Sequence, residues 1–368
     1  MDPRAEWLIM SKFDEIWKEE IGYVEKALSD YLDFKINQVS RLGKWHIDFY
    51  GNMKDYLLRG GKRLRPVLVV IGYKAIKGKH ELKHLYRAAN AIEILHNGSL
   101  LHDDLIDHDE MRRGGKTFHV TYRDIYRARS HDMEKAQDFG STMAIIGGDL
   151  LLNMGAQAIH DSNLSEDVAS KCLRYYQDAF QSLADGVMLE MTMIDRDDIT
   201  EDIYLEMVAL KTAVLFDTSL SMGALMANAT ESQIAALSEY GVKVGQAFQI
   251  QDDVLGSFGD EAKTGKSVDG DIREAKKTMI VLKTYEHADS AQKKLLDSLL
   301  GKKGMSPTEV DRVRDIFVKT GGLKETQNLM DRLLHEGQKA LDKASPPLAP
   351  KYKEFLMELA EFLVKRDF

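Results

Sequence analysis

Residues 99–116 read SLLHDDLIDHDEMRRGGK, with four aspartates and a glutamate between positions 103 and 110 and two arginines directly after. Asp103, Asp104 and Asp107 stand at i, i+1 and i+4. On a helix the first and last lie one turn apart on the same face, so both carboxylates can enter one cavity. Carboxylates held that close repel, and a hard divalent cation relieves the repulsion. Magnesium suits the set because it takes oxygen ligands, needs few protein carboxylates and completes its octahedron with water and phosphate oxygens. An acidic run alone more often just faces water. A second pair changes that balance: FQIQDDVLGSFGD places Asp252 and Asp253 at the end of another apolar-periodic stretch, about 150 residues further on. There the i+4 position is Gly256, and the next acid, Asp260, falls in the following loop.

Basic residues flank both clusters. GGKRLRP sets Lys62, Arg63 and Arg65 around a helix start beside a glycine-loosened turn. Donors that close together suit a diphosphate, and a guanidinium grips two oxygens at once. Arg112 and Arg113 follow the first acidic cluster, and Lys263, Lys266, Lys276 and Lys277 follow the second. A diphosphate is too anionic to meet aspartates directly, so cations bridge them while arginines and lysines take the remaining oxygens. Acid, metal and base then form one device.

The elements that must position these groups are helical. Apolar residues recur at three and four through YLLRGGKRLRPVLVVIGYKAI, HLYRAANAIEILHNGSLLHDDLID, STMAIIGGDLLLNMGAQAIHD, IYLEMVALKTAVLFDTSLSMGALMANA and SQIAALSEYGVKVGQAFQIQDDVLG. Strand-like alternation is hardly visible. The reading is an all-α chain of about a dozen helices, broken at RGG (59–61), KGKH (77–80), RRGGKT (112–117) and FGDEAKTGKSVDGD (258–271), where glycine ends helices. YRARSHDMEKAQDF (126–139) reads as a polar surface connection. In MVALKTAVLF, Lys211 and Thr212 interrupt an apolar run, where a lysine is costly unless it meets an anion.

With 368 residues, 44% hydrophobic and 30% charged, the chain can bury a large core. It has 6 prolines and no Pro/Ser/Gly-rich linker, so one domain over 1–368 is expected, with residues 1–45 as a helical N-terminal extension of it. The single cysteine, Cys172, excludes an intrachain disulfide and fits a reducing cytoplasm. No run approaches the roughly 18 apolar residues of a membrane span. A formal charge of −9 argues against nucleic-acid backbone binding, so any anionic ligand must be held locally.

Together these motifs resemble the trans-isoprenyl diphosphate synthases, which include farnesyl and geranylgeranyl diphosphate synthases. GGKRLRP, LLHDDLIDHDEMRRG, LKTAVLF, FQIQDDVLGSFGD with KTGK, and DIREAKKT appear in that family's order and at about its spacing, across nearly the whole chain. The resemblance implies an isoprenoid synthase fold, a helical bundle around a deep central cavity, paired as a homodimer. It implies head-to-tail elongation, in which an allylic diphosphate ionises, isopentenyl diphosphate attacks the carbocation and a proton leaves. It implies three magnesium ions per site, with Asp103 and Asp107 ligating two, Asp252 the third, and Asp104 and Asp253 in support. Arg112, Lys211, Lys266 and Lys276 would hold the allylic diphosphate, and Lys62, Arg65, His96 and Arg113 isopentenyl diphosphate. Thr212, Gln249 and the backbone carbonyl of Lys211 would sit near the developing cation.

Two departures stand out. Gly256 replaces the last aspartate of the usual second motif, and GVMLE carries Val187 and Glu190 where the family commonly has glutamine and aspartate. For product length the resemblance points to the helix before Asp103, where one turn rises ~5.4 Å, close to one isoprene unit. Gly98 and Ser99 are small, with Leu95 and Ile94 one turn deeper. The aromatic plug of farnesyl-stopping relatives is missing, so a twenty-carbon product is expected, with twenty-five carbons or more as the alternative. A class I terpene cyclase shares the aspartate-rich metal site but takes one diphosphate, so Lys62, Arg65 and His96 speak against it. A non-catalytic subunit of a heteromeric synthase is disfavoured by the retained aspartates.

Overall fold

A computed structural model describes residues 12–78, 84–194, 196–259 and 269–364. The chain runs through α1 (Lys12–Val39), α2 (Lys44–Leu58), α3 (Leu64–Lys77) and α4 (Leu85–Ile106) into a hairpin, β1 (Met111–Arg112) and β2 (Gly115–Lys116). It continues as α5 (Phe118–Arg127), α6 (Met133–His160), α7 (Glu166–Met193), α8 (Glu201–Val208), a π-helical turn (Ala209–Ala213), α9 (Val214–Met226) and α10 (Glu231–Phe258). The last elements are α11 (Gly270–Arg273), α12 (Met279–His287), α13 (Ser290–Leu299), α14 (Pro307–Lys319), α15 (Gly322–Ala340) and α16 (Pro350–Val364). The all-α class expected from the apolar period is the class observed. Helix starts follow local chemistry: Thr230 with Gln233, Asp289 with Gln292 and Ser306 with Glu309 each form a reciprocal capping box.

The helices gather into two compact units, one of residues 1–177 with 219–229 and the other of 178–218 with 230–368. In the first, α1 buries Phe13, Ile16, Val24, Leu28, Tyr31 and Leu32 at helical spacing. The same stripe holds two charged residues, each matched. Glu20 pairs with Lys74 of α3 and accepts from the Tyr86 hydroxyl at 3.0 Å, while the Lys35 ammonium donates to Gln157 of α6 at 2.9 Å. The N-terminal segment, to which the sequence assigns no specific role, is therefore a tie between α3, α4 and α6. Small residues bring α3 close to the end of α9: a Cβ on Gly223 would stand 2.0 Å from the Val69 carbonyl oxygen.

In the second unit, α10 is the long central element. A Cβ on Gly245 would lie 2.6 Å from Ala213 Cα, so the π turn sits directly on α10. A core of Val254, Ile272, Ile280, Leu296, Leu299, Val310, Val313 and Phe317 ties the end of α10 to α11 and the following helices.

Three expectations are corrected. RRGGKT is not merely a loop: Met111 pairs with Lys116 and Arg112 with Gly115, and the turn residues Arg113 and Gly114 have φ of 49° and 73°. Two successive positive φ values match the twist of a two-residue hairpin. The polar segment 126–139 is mostly helix, because α5 runs to Arg127 and Asp132 caps α6 by accepting from the Lys135 N–H at 3.1 Å. Finally, α6 and the stretch Glu201–Met226 are long and apolar enough to cross a bilayer by length and composition. Most of the apolar window of Glu201–Met226 is buried, including Leu215, Phe216 and Leu220, whereas α6 buries less than half of its own, with Leu151 and Met154 inside and Ile145 and Ile146 exposed.

Candidate active site

The first aspartate pair ends α4. Asp107 is the C-cap, its N–H donating to the Asp103 carbonyl at 2.8 Å, which fixes the one-turn spacing. Asp103 is half-buried and Asp107 exposed. Asp104 is fully buried and satisfied on both oxygens, by the Tyr56 hydroxyl at 2.7 Å and by the Arg112 guanidinium. Burial pushes the Asp104 carboxyl up from the ordinary range, and Arg112 and Tyr56 pull against it. The hairpin aims both arginines. Arg112 reaches back to Asp104 and to Asp109 at 3.2 Å, and Arg113 lies near the Asn97 amide oxygen and the Gly60 carbonyl, each at 3.4 Å. Gly61 makes room: a Cβ there would come within 3.3 Å of the Arg113 guanidinium carbon.

The GGKRLRP cluster divides in two. Arg63 adopts a left-handed φ of 48° at the N-cap of α3 and is buried, donating to Glu25 of α1 at 3.1 Å and Glu93 of α4 at 2.8 Å. Its charge is absorbed by the scaffold. Lys62 on the exposed side and half-buried Arg65 stand on either side of it. His96 is half-buried; desolvation and the charges of Arg65, Arg113, Arg112 and Arg63 hold its imidazole well below the usual histidine range. The residues expected to grip isopentenyl diphosphate, Lys62, Arg65, His96 and Arg113, thus belong to one unit.

The second aspartate pair lies in the other unit, near the end of α10. Its pattern repeats the first. Asp252 is half-buried, whereas Asp253 is buried and accepts from the Tyr204 hydroxyl and from the Gln249 amide at 2.8 Å. Burial and the neighbouring Asp271 raise the Asp253 carboxyl above the ordinary range. The Thr212 hydroxyl donates to the Gln249 carbonyl at 2.8 Å, so Thr212, Gln249 and Asp253 form one hydrogen-bonded chain. Lys211 shares the π turn with Thr212 and pairs with Glu190 of α7. The anion that offsets its burial within the protein is therefore the glutamate of GVMLE. Lys276 lies 3.4 Å from Asp271 and 3.1 Å from Glu274. Burial disfavours the Lys276 charge, but Asp271, Glu274 and Glu190 more than offset it and keep the ammonium above the ordinary lysine range. Lys266 lies outside the described residues.

Each aspartate pair suits a hard cation by donor chemistry. In each, one aspartate is committed to protein donors, and the others, Asp103 and Asp107 or Asp252, are not fully buried and carry oxygen donors of the kind magnesium takes. Glu286, His287 and Glu325 bring their ligand atoms within 4.8 Å of one another as well, but all three are exposed and belong to neither pair. On α4, Gly98 packs against α6, where a Cβ would meet Leu151, Gly148 and Leu152. Ser99, Leu95 and Ile94 are buried, and the Ser99 hydroxyl donates to the His96 carbonyl at 2.8 Å.

Sequence reasoning does not single out Tyr56, Tyr204 or Asn97, whose roles come from distant helices. Asp271 lies within DIREAKKT, and its closeness to Asp253 was the missing signal.

Comparison with known proteins agrees with these motifs. The polyprenyl synthetase family matches residues 48–317. A geranylgeranyl diphosphate synthase of Sulfolobus acidocaldarius is 33% identical over 97% of this chain and 99% of its own length. One from Saccharolobus solfataricus is 37% identical over 71% of this chain and 73% of its own. The crystal structure of geranylgeranyl pyrophosphate synthase from Corynebacterium glutamicum, complexed with isoprenyl diphosphate and magnesium, superimposes with a TM-score of 0.86 at 27% identity, covering 98% of this chain and all of that one. The chain belongs to the polyprenyl synthetase family.

Proposed function

We propose that this chain is a short-chain trans-prenyltransferase that joins an allylic diphosphate head-to-tail with isopentenyl diphosphate and releases geranylgeranyl diphosphate. The observation that carries the reading is that Lys62, Arg65, His96 and Arg113 lie in the same unit as the Asp103–Asp107 pair, with the hairpin holding Arg112 on Asp104 and Arg113 beside Asn97 and the Gly60 carbonyl. A one-diphosphate cyclase has no need of a second anion grip. The relatives named above support the twenty-carbon product, as do Gly98 and Ser99, where no aromatic side chain blocks α4.

Asp103, Asp107 and Asp252 would hold magnesium, which when bound neutralises the diphosphate as its C–O bond breaks. The protein's own groups do the rest. Arg112, Lys211 and Lys276 bind the leaving diphosphate, and their attraction grows as charge develops on it, which is selective stabilisation of the transition state. Lys62, Arg65, His96 and Arg113 orient isopentenyl diphosphate. Thr212 and Gln249, locked to each other, present fixed dipoles near the developing cation. No side chain is needed as nucleophile. A single domain, a homodimer and a soluble, cytoplasmic location complete the reading. Exposed Ile145 and Ile146 on α6 support a pairing surface, and the single cysteine, Cys172, which cannot form an intrachain disulfide, supports a reducing compartment.

The test is incubation with magnesium, labelled isopentenyl diphosphate and each allylic primer, followed by sizing of the dephosphorylated product. A C20 alcohol is expected. Absence of incorporation with every primer would refute the reading, and release of a hydrocarbon from geranylgeranyl diphosphate alone would favour a cyclase.

A further inference from the structure

One face of α4 carries three buried polar side chains in register. Glu93, Asn97 and Asp104 follow one another at helical spacing, one turn and then two turns apart, so they stack along one side of the helix. They are 3%, 0% and 0% exposed. Each accepts from a different arginine: Glu93 Oε1 from Arg63 Nη1 at 2.8 Å, Asn97 Oδ1 from Arg113 Nη1 at 3.4 Å, and the Asp104 carboxylate from Arg112. The first two members are also joined to each other. The Asn97 amide nitrogen donates to the Glu93 carbonyl at 2.8 Å and to Glu93 Oε1 at 3.1 Å. Both amide protons are thereby spent on Glu93, and the side-chain oxygen is left as the edge turned to Arg113. The opposite orientation would set that oxygen against two oxygens of Glu93 and an NH2 donor against a guanidinium. Arg63 holds Glu93 in turn: its side chain is fully buried, and Glu25 of α1 accepts from its Nε at 3.1 Å.

We propose that Glu93 is a positioning residue for the isopentenyl diphosphate site, acting through Asn97 on Arg113. The Glu93 carboxylate fixes the Asn97 amide, and the Asn97 oxygen holds Arg113 Nη1 together with the Gly60 carbonyl, also at 3.4 Å. A guanidinium is a rigid plane, so holding one nitrogen orients the whole fork toward diphosphate oxygens before substrate arrives. Arg63 keeps the charge and direction of Glu93, which gives the buried arginine of GGKRLRP a part in the grip made by its neighbours. The inference rests on the reading of function above.

The experiment separates the two substrates. Steady-state rates with magnesium are measured while isopentenyl diphosphate and farnesyl diphosphate, the allylic primer, are varied in turn. Asn97→Ala leaves the Glu93–Arg63 pair intact and is expected to raise KM for isopentenyl diphosphate roughly tenfold, the scale of one hydrogen bond to a charged group, with KM for the primer within about twofold of the parent. Glu93→Gln keeps the volume but loses the charged acceptor, and should raise the same KM by about three- to tenfold. Glu93→Gln/Asn97→Ala should match Asn97→Ala to within about twofold, because Glu93 has no route to Arg113 once Asn97 is gone. Glu25→Gln, at the other partner of Arg63, should leave both KM values unchanged. A parent-like KM for isopentenyl diphosphate in Asn97→Ala, an equal rise in both KM values, single effects that multiply in the double variant, or an equal loss in Glu25→Gln overturns the proposal. Should Glu93→Gln fail to fold, Glu93→Asp, which keeps the charge for Arg63 but draws the acceptor back from Asn97, takes its place in the cycle. A parent protein that incorporates no isopentenyl diphosphate with any primer overturns the functional reading itself, and the role of Glu93 with it.

Discussion

Replacing Glu20 with alanine tests how the scaffold is held. Glu20 is 1% exposed and Lys74 8%, and the pair joins α1 to α3 with the Tyr86 hydroxyl on the second carboxylate oxygen. The substitution strands a buried ammonium and leaves the half-buried Tyr86 hydroxyl without that acceptor. Breaking a buried ion pair from one side typically costs about 3–5 kcal/mol, most of it the desolvation of the charge left behind. The unfolding entropy of a 368-residue chain is roughly 0.8 kcal/mol/K, so that loss corresponds to a fall in Tm of roughly 4–6 °C. Differential scanning calorimetry at fixed protein concentration reads it. Replacing both partners with apolar residues, Glu20→Leu with Lys74→Met, should recover most of the loss, because the uncompensated charge is then gone. A Glu20→Ala variant melting within about 1 °C of the parent would refute the argument, since water would then be reaching Lys74 and the α1 tie would be ornamental.

Three further outcomes are expected. Asp103→Ala should cut turnover by roughly a thousandfold or more while leaving Tm nearly unchanged, since removing one of several repelling carboxylates does not open the core; a large thermal loss would assign Asp103 to the scaffold. Ser99→Phe should shorten the product, read by chromatography of the dephosphorylated alcohols; an unchanged C20 would place the chain stop elsewhere. His96, faced by Arg63, Arg65, Arg112 and Arg113, has a depressed folded pKa. Above about 6.5 both folded and unfolded states leave it neutral, and as pH falls the unfolded chain takes up a proton that the folded chain refuses. Stability should therefore fall progressively below about 6.5 toward the depressed folded value, and His96→Gln should flatten part of that slope in urea titrations; an unchanged slope would remove His96 as its source.

Much of this was legible because it is local. The i, i+4 spacing of Asp103 and Asp107, the period of α4 and α10 and the glycine breaks need only neighbours in the chain. What was hidden depends on partners far away. Arg63 looks identical in type to Arg65, and only Glu25 and Glu93, brought in from α1 and α4, show that its charge is absorbed by the fold. Nothing in the sequence singles out Glu20 or Lys74, because composition cannot reveal that two opposite charges are buried against each other. The resemblance gives Asp104 and Asp253 a supporting place in the metal site, and only the fold reveals that their oxygens are engaged by Tyr56 and Arg112 and by Tyr204 and Gln249. The hairpin escaped notice because two-residue strands leave no alternation to read.

The π turn at Ala209–Ala213 has a consequence for anyone recombining this chain with its relatives. Such a turn carries one residue more than an α-helix of the same length would hold, so the faces before and after it are out of phase by ~100°. It is seated tightly on both sides, with a Cβ on Gly186 falling 2.5 Å from the Lys211 nitrogen and one on Gly245 2.6 Å from Ala213 Cα. A chimera spliced inside 209–213 with a parent lacking the extra residue would keep every motif in the alignment yet turn Lys211 and Thr212 away from Glu190 and Gln249. Crossover points belong outside that turn, and a one-residue gap there counts as a rotation of the active helix.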